Sequence, residues 1–426
     1  MLIKFKESHP KGLYLLFFVE MWERFSFYGM RALLVLYMIQ VLMFSAQKAG
    51  SIYGIYTGLV YLTPLIGGYL ADRYFGQRKC ITAGGILMSA GLFLLAFGGH
   101  SLFLASLFLM VCANGCFKSN ISSVLGLLYG NDNNKKDSAF TIFYMGINFG
   151  AFFSPLICGT IALKYGFQWG FASAGLGMLI GLTLYKLYEN KLLGDKGLKP
   201  ILIKKDKLND SNQENSKLFS LVILMLFTIP FWICFEQAGT SLTLFAEYQT
   251  DRTVFGYEIP TGYFQSLNPL FIITLAPLMS FLWEWLKTKK KEPTSVEKFV
   301  IALLLMSISY IIMMFAGISG ETAKISPLWL VFVYFTMTLS ELCLSPIGLS
   351  LVSKLAPKKF LSLTMGCWFF TCFIGDTLAG FWGGKYETLS AFQLFAPLAI
   401  LSFLAFIILL AFTPKLNKSL SIKLND

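Results

Sequence analysis

The stretch FFVEMWERFSFYGMR, Phe17 to Arg31, sets Glu20, Glu23, Arg24 and Arg31 into a run that is otherwise as apolar as a membrane span. Carboxylates beside guanidinium groups can do two kinds of work. They can trade protons, because a desolvated carboxylate gains proton affinity when its cation leaves, and a guanidinium can hold an anion in bidentate fashion. On a helix turning about 100° per residue, Glu20, Arg24 and Arg31 lie within about 40° of one another, with Glu23 about 60° to one side. From Glu20 to Arg31 the stripe runs roughly 16 Å. Each charge would cost several kcal/mol against lipid, so the stripe must face a protein interior or an aqueous cavity. Four more midspan charges stand on four other segments: Lys118 in GCFKSNIS, Glu236 in FWICFEQAG, Glu341 in LSELCLSP and Asp376 in FIGDTLAG. Any one of them could be a structural ion pair between helices. Together they exceed what assembly of a bundle needs and imply a cavity with cationic and anionic walls, which suits a zwitterion.

The elements that must carry these residues are membrane helices. Of 426 residues 56% are hydrophobic and 14% charged, with a mean hydropathy of +0.64, whereas a soluble globular chain carries about 25% charged residues. Apolar segments long enough to cross roughly 30 Å of hydrocarbon as helices recur along the chain. Twelve are read, near 13–42, 50–71, 78–98, 101–128, 138–163, 168–188, 218–249, 260–287, 297–318, 326–353, 360–384 and 390–413. The expected fold class is an all-α, multi-pass integral membrane protein. The net charge of +12 would suggest nucleic acid in a soluble protein, yet its distribution reports topology instead. Five of the 35 Lys and Arg (Lys48, Lys164, Arg252, Lys324, Lys385) fall in one set of loops and three (Arg24, Arg31, Lys118) within spans; the rest occupy the N-terminus, the alternate loops, the central linker and the tail. By the positive-inside rule both termini are expected in the cytoplasm, and no nucleic-acid partner is expected. Membrane lipid is the surrounding partner, and the basic run Lys287 to Lys291 is read as a solvated flank. No cleavable leader is expected, because the first span is too long for a signal-peptide core and lacks a small-residue cleavage site. The eight cysteines sit mostly within spans with no CxxC pair, so no metal or other cofactor is expected, and Cys112 and Cys116 read as small apolar packing residues.

The one long hydrophilic stretch, ENKLLGDKGLKPILIKKDKLNDSNQENSK at 189–217, divides the spans six and six. The expected organisation is an N-terminal six-helix bundle over 1–188, a cytoplasmic linker over 189–217 and a C-terminal six-helix bundle with a short tail over 218–426. Loops elsewhere are short and leave no room for a soluble catalytic or receptor domain. Gly and Pro inside spans, as in YLTPLIGG, FFSPLICG, LNPLF and LCLSPIG, mark kinks and close helix contacts, the bends on which two related halves could rock about a midplane site.

EMWERFSFYGMR (Glu20 to Arg31) resembles the ExxER signature, with its trailing Tyr-Gly-Met-Arg, of the proton-dependent oligopeptide transporter family within the major facilitator superfamily. The likeness extends through YLTPLIGGYLADRYFGQRK (Tyr61 to Lys79), GCFKSNISSVLG (Gly115 to Gly126), FYMGINFGAFFSP (Phe143 to Pro155), FWICFEQAGTSL (Phe231 to Leu242), QSLNPLFI (Gln265 to Ile272) and ELCLSPIGLSLVSKLAP (Glu341 to Pro357). GYLADRYFGQRK alone would be weak, since it resembles a loop shared across the superfamily; the signature and the other blocks in the family's order are specific.

The resemblance implies a twelve-helix major facilitator fold and proton-coupled import of di- and tripeptides by alternating access, in a protein working as a monomer, in the inner membrane if bacterial. It implies that Arg31 and Lys118 hold the peptide carboxylate, that Glu341 meets the amino group with help from Asn148 and Asn268, and that Tyr28, Tyr61, Trp232 and Trp368 line the site. Proton coupling would fall to Glu20, Glu23 and Glu236, with Arg24 as the local cation. In this reading Glu236 pairs with Arg31 when substrate is absent, while Glu20 or Glu23 exchanges pairing with Lys118, so that peptide carboxylate and proton release the salt bridges together. Phe27 departs from the pattern, standing where the family has tyrosine. Asp376 departs too, as an acid two turns beyond Trp368 for which an outer gate, a contact to cationic substrates or structural pairing are all open. The nearest alternative keeps the fold and changes the cargo to nitrate or another small solute. His9 and His100 both lie near span ends, and the retained Lys118 and Glu341 favour a zwitterionic peptide. A membrane-embedded enzyme lacks support, since the spans hold no paired histidines, nucleophile motif or phosphate-binding glycine loop.

Overall fold

The computed structural model describes residues 9–130, 133–200, 212–320, 323–355 and 361–420. Its helices are α1 (Lys11–Gln40), α2 (Ala46–Leu70), α3 (Gln77–Phe97), α4 (Gly99–Tyr129), α5 (Asn133–Tyr165), α6 (Phe167–Leu193), α7 (Asn212–Phe235), α8 (Ser241–Tyr248), α9 (Leu267–Thr288), α10 (Ser295–Gly320), α11 (Leu328–Leu355), α12 (Leu361–Gly383) and α13 (Ala391–Leu420). A small antiparallel hairpin, β1 (Thr253–Val254) and β2 (Tyr257–Glu258), lies between α8 and α9. Among the described residues ten segments are long and apolar enough to cross a membrane. The embedded charges of α1 keep it out of that group, although its 30 residues are ample in length. The helices also present large apolar side chains outward. Leu104 and Phe108, one turn apart on α4, are 65% and 67% exposed, and Leu278 and Phe281 on α9 are 62% and 69% exposed. Stripes of this kind match hydrocarbon as a solvent. Part of the expected linker, 201–211, lies outside the described residues.

The chain forms two compact units, one of residues 1–33 and 62–204, the other of 34–61 and 205–426. In the first, α3 packs on α4 and α6, and α5 packs on α6. α2 ends in one wider turn, Ala71–Phe75, and Gly76 follows at φ +80°, a left-handed conformation that glycine adopts without strain. The Arg78 guanidinium just beyond is buried and binds Glu189 (Nε to Oε2, 3.1 Å), the Gly194 carbonyl (2.8 Å) and Asn190, which ties the start of α3 to the end of α6.

In the second unit α10 packs between α11 and α13, and α12 lies along α7. Its core is built from Phe231, Phe245, Phe299, Tyr310 and Phe395, all fully buried. The span expected to run unbroken over 218–249 is interrupted. After Phe235 the chain makes a tight 3-10 turn, Glu236–Gly239, before α8 resumes at Ser241. Such a break frees backbone groups that lipid cannot satisfy, and the structure satisfies them from side chains. Tyr310 Oη donates to the Cys234 carbonyl (2.5 Å) and Thr243 Oγ1 to the Ala238 carbonyl (2.8 Å). Gln237 serves as the hub, its Nε2 donating to the carbonyls of Ile233 (3.1 Å) and Ala379 (3.0 Å) while its Oε1 accepts from Ser241 (2.6 Å) and Thr240 (3.3 Å).

Candidate functional site

The first unit gathers its charges on α1. Glu20, Glu23, Arg24 and Arg31 are all buried. Arg24 Nη2 donates to Glu23 Oε1 (2.7 Å) and its Nε binds the other Glu23 oxygen; the same Nε lies 3.2 Å from Glu20 Oε1. Neighbours one residue apart do not normally face each other on a helix, but the Arg24 side chain is long enough to wrap onto Glu23. One guanidinium therefore serves two carboxylates. Glu20 Oε2 is buried with no hydrogen-bond partner among the described residues, an oxygen open to a proton. Lys118, half-buried on α4, is near enough to act electrostatically on Glu20. Toward the other end of the stripe the Arg31 guanidinium lies 5.8 Å from the centre of the Tyr28 ring, and Arg24 stands 5.4 Å from the centre of Phe27. The Phe27 ring, buried and edge-on to Tyr28, thus presents its face to the Arg24 guanidinium.

α5 is held to α1 at Gly146, against Phe17, and at Gly150, where an added Cβ would stand 3.0 Å from the Arg24 side chain. Asn148 lies between these glycines on another face of α5, buried, its Nδ2 donating to the Tyr144 carbonyl (2.9 Å). Lys118 is positioned by the tight packing of α4 on the C-terminal part of α2, where Gly67 meets the Gly115 backbone and Ser119 donates to the Pro64 carbonyl (3.1 Å).

The second unit gathers its polar groups from several helices. Asn268, in the first turn of α9, donates through Nδ2 to Glu341 Oε2 (2.8 Å) and to Thr338 Oγ1 (3.1 Å), both on α11. The Glu341 carboxylate is oriented by a neutral amide on the next helix. Glu236, 1% exposed, stands at the first residue of the break in the α7–α8 span. Trp232, one turn earlier, packs edge-on to Phe231 and Phe235, lies 6.3 Å from the Tyr61 ring and is backed by Gly375 on α12. Its buried indole N–H has no hydrogen-bond partner among the described residues. Trp368 is buried against Gly348 on α11, where any Cβ would collide with the indole. Asp376 is buried on α12.

The structure thus joins Glu20, Glu23 and Arg24 in one group with Lys118 nearby, Arg31 with Tyr28, Asn268 with Glu341, and Tyr61 with Trp232. Two residues were missed from the sequence. Thr338 gives no signal beyond lying one turn before Glu341. Gln237 had one, since a polar residue directly after Glu236 and before Ala-Gly-Thr marks a place where a helix has reason to break.

Comparisons with known proteins show which family the fold and sequence belong to. The chain is 36% identical to "Peptide transporter YePEPT" of Yersinia enterocolitica, covering 89% of this chain and 88% of that one. It is 34% identical to "Di-/tripeptide transporter" of Lactococcus lactis subsp. lactis, covering 85% and 86%. Among solved structures, a mutant of the peptide transporter POT in complex with alafosfalin superposes with a TM-score of 0.91 at 33% identity, covering 97% of this chain and 96% of that one. The profile of the POT family matches residues 78–190 and 195–390. With most of its length matched, and with the all-α fold of the major facilitator transporters, this chain belongs to the POT family.

Proposed function

We propose that the chain imports di- and tripeptides together with protons by alternating access, as two six-helix halves joined by a cytoplasmic linker, with both termini in the cytoplasm and a single copy sufficing for transport. The observation that carries this reading is the division of chemistry. Cations stand on α1 and α4 (Arg31, Lys118) and an oriented carboxylate on α11 (Glu341, held by Asn268), and a zwitterionic peptide asks for both. Asn148, Tyr28, Tyr61, Trp232 and Trp368 would bind the backbone and side chains. Glu20, Glu23 and Glu236 would carry the proton, with Arg24 as the local cation. The work is transport rather than bond chemistry. One inward positive charge across about 100 mV is worth about 2.3 kcal/mol, roughly a 50-fold concentration ratio, which a neutral dipeptide accompanied by a proton could exploit.

The test is uptake of labelled dialanine into liposomes holding the purified protein, with an inward proton gradient and negative interior. Accumulation above equilibrium that an uncoupler collapses is the expected result. No movement of dialanine by folded, inserted protein would overturn the peptide reading and turn attention to nitrate and other small solutes.

A further inference from the structure

The end of α1 and the start of α2, residues 34–61, belong to the same compact unit as the C-terminal helices. Their attachment is of an unusual kind. Gly50, Gly54 and Gly58 form one stripe on α2; Gly50 and Gly54 touch backbone of the α12 region, and Gly58 touches Thr377 and Phe373 there. A Cβ at Gly54 would stand 2.8 Å from the Asp376 and Thr377 carbonyls and from Gly380 Cα; at Gly58, 2.8 Å from Thr377 Oγ1; at Gly50, 2.7 Å from Gly384 Cα. Along roughly 12 Å of helix the two backbones meet with almost no side chain between them. Small-residue seams of this sort are held by close packing.

A directional bond stands at the seam's end. Glu387, in the turn after α12, accepts a hydrogen bond from the backbone N–H of Ala46, the first residue of α2, at 3.1 Å. The first N–H groups of a helix have no partner within it and carry the positive end of its dipole. Ordinarily the residue just before the helix caps them, and here Ser45 Oγ does accept from Lys48 N (3.3 Å). The N–H of Ala46, itself 1% exposed, is instead capped from 341 residues away. A lesser pin stands at the α1 end, where Gln40 Nε2 donates to Glu247 Oε1 (3.2 Å).

We propose that Glu387 is a positioning residue of the transport cycle: it caps α2 only while α2 lies on α12, and so holds the external side closed. The proposal rests on the transport reading and orientation above, which place Ala46 and Glu387 outside. When the seam parts, the cap is lost and Ala46 N–H and the Glu387 carboxylate must each turn to water. The equilibrium between closed and open external sides is therefore biased by about the factor one helix cap is worth, roughly fivefold.

The test places a reporter thiol at Thr377→Cys, inside the seam, in cells expressing the full chain, and measures labelling by a membrane-impermeant maleimide from outside. The same chain without the reporter is the blank for its eight native cysteines. Adding Glu387→Ala is expected to raise the labelling rate about fivefold and to lower the external KM for dialanine by a similar factor, since affinity scales with the open fraction, with no matching rise in maximal rate. Glu387→Gln, which keeps an acceptor oxygen and loses the charge, is expected to fall between. A change confined to expression level or to maximal rate would mark a merely structural role. Unchanged labelling and KM in both variants would overturn the proposal. If the thiol reacts only from the cytoplasmic side, the orientation is wrong and the proposal falls with it. If labelling responds as expected while dialanine is not carried, the latch stands and the peptide reading alone fails.

Discussion

The α1 group of the first unit and the α9–α11 group of the second solve opposite problems with a carboxylate. On α1, Glu20 and Glu23 share one guanidinium from their own helix, so three ionisable groups lie buried within a single turn. Between α9 and α11, Glu341 is bound by a neutral amide from another helix. A charge neutralised by its helical neighbour can survive burial through a conformational change, because its partner moves with it, and a shared cation leaves one carboxyl oxygen available to a proton. A carboxylate bound by an amide from a different helix has an orientation that depends on two helices staying together. Under the proposed function the first arrangement would serve proton exchange and the second recognition of an ammonium.

The comparison is broken most severely by Arg24→Ala. Removing the shared cation leaves two buried carboxylates facing each other, and loss of one partner of a buried pair typically costs about 3–5 kcal/mol. The expected outcome is a large drop in thermal stability in detergent and no transport. A stability equal to the parent's would show the charges to be solvated. Next comes Glu20→Gln, which keeps the size and removes the titration. Uphill dialanine accumulation should vanish while counterflow persists, and loss of both would deny Glu20 a proton-specific role.

Glu341→Gln should act on recognition instead. Asn268 Nδ2 can still donate to the amide oxygen, so stability should barely change. Losing a charged hydrogen bond to the peptide ammonium, worth about 1.5–3 kcal/mol, should raise KM by roughly 10- to 150-fold. An unchanged KM in a transport titration would place the ammonium elsewhere. The smallest effect is expected of Phe27→Tyr. The ring is already buried against Arg24 and Tyr28, and a new hydroxyl should move KM by less than about fivefold, the scale of one ordinary hydrogen bond. A larger change would mean that the residue meets substrate directly.

Much of the α1 group was legible beforehand because helix geometry alone puts Glu20 and Arg24 one turn apart. The pairing of Arg24 with adjacent Glu23 was not, since a helical wheel sets those two about 100° apart and side-chain length overrode it. The break after Phe235 was also hidden. Apolar content runs on through 218–249, and hydropathy cannot see that Gln237, Tyr310 and Thr243 stand ready to satisfy an interrupted backbone.

The sequence by itself determined the solvent, the element type and the family. Twenty-residue apolar runs leave a chain in lipid few options, and charges too costly to face lipid declare an interior wherever they occur. The tertiary structure alone decided which acid meets which partner, where a span gives up its helix, and that residues 34–61 lie with the C-terminal helices through glycines and one distant cap. Those choices depend on how helices rotate and pack against one another over hundreds of residues, and no local period in the sequence encodes that.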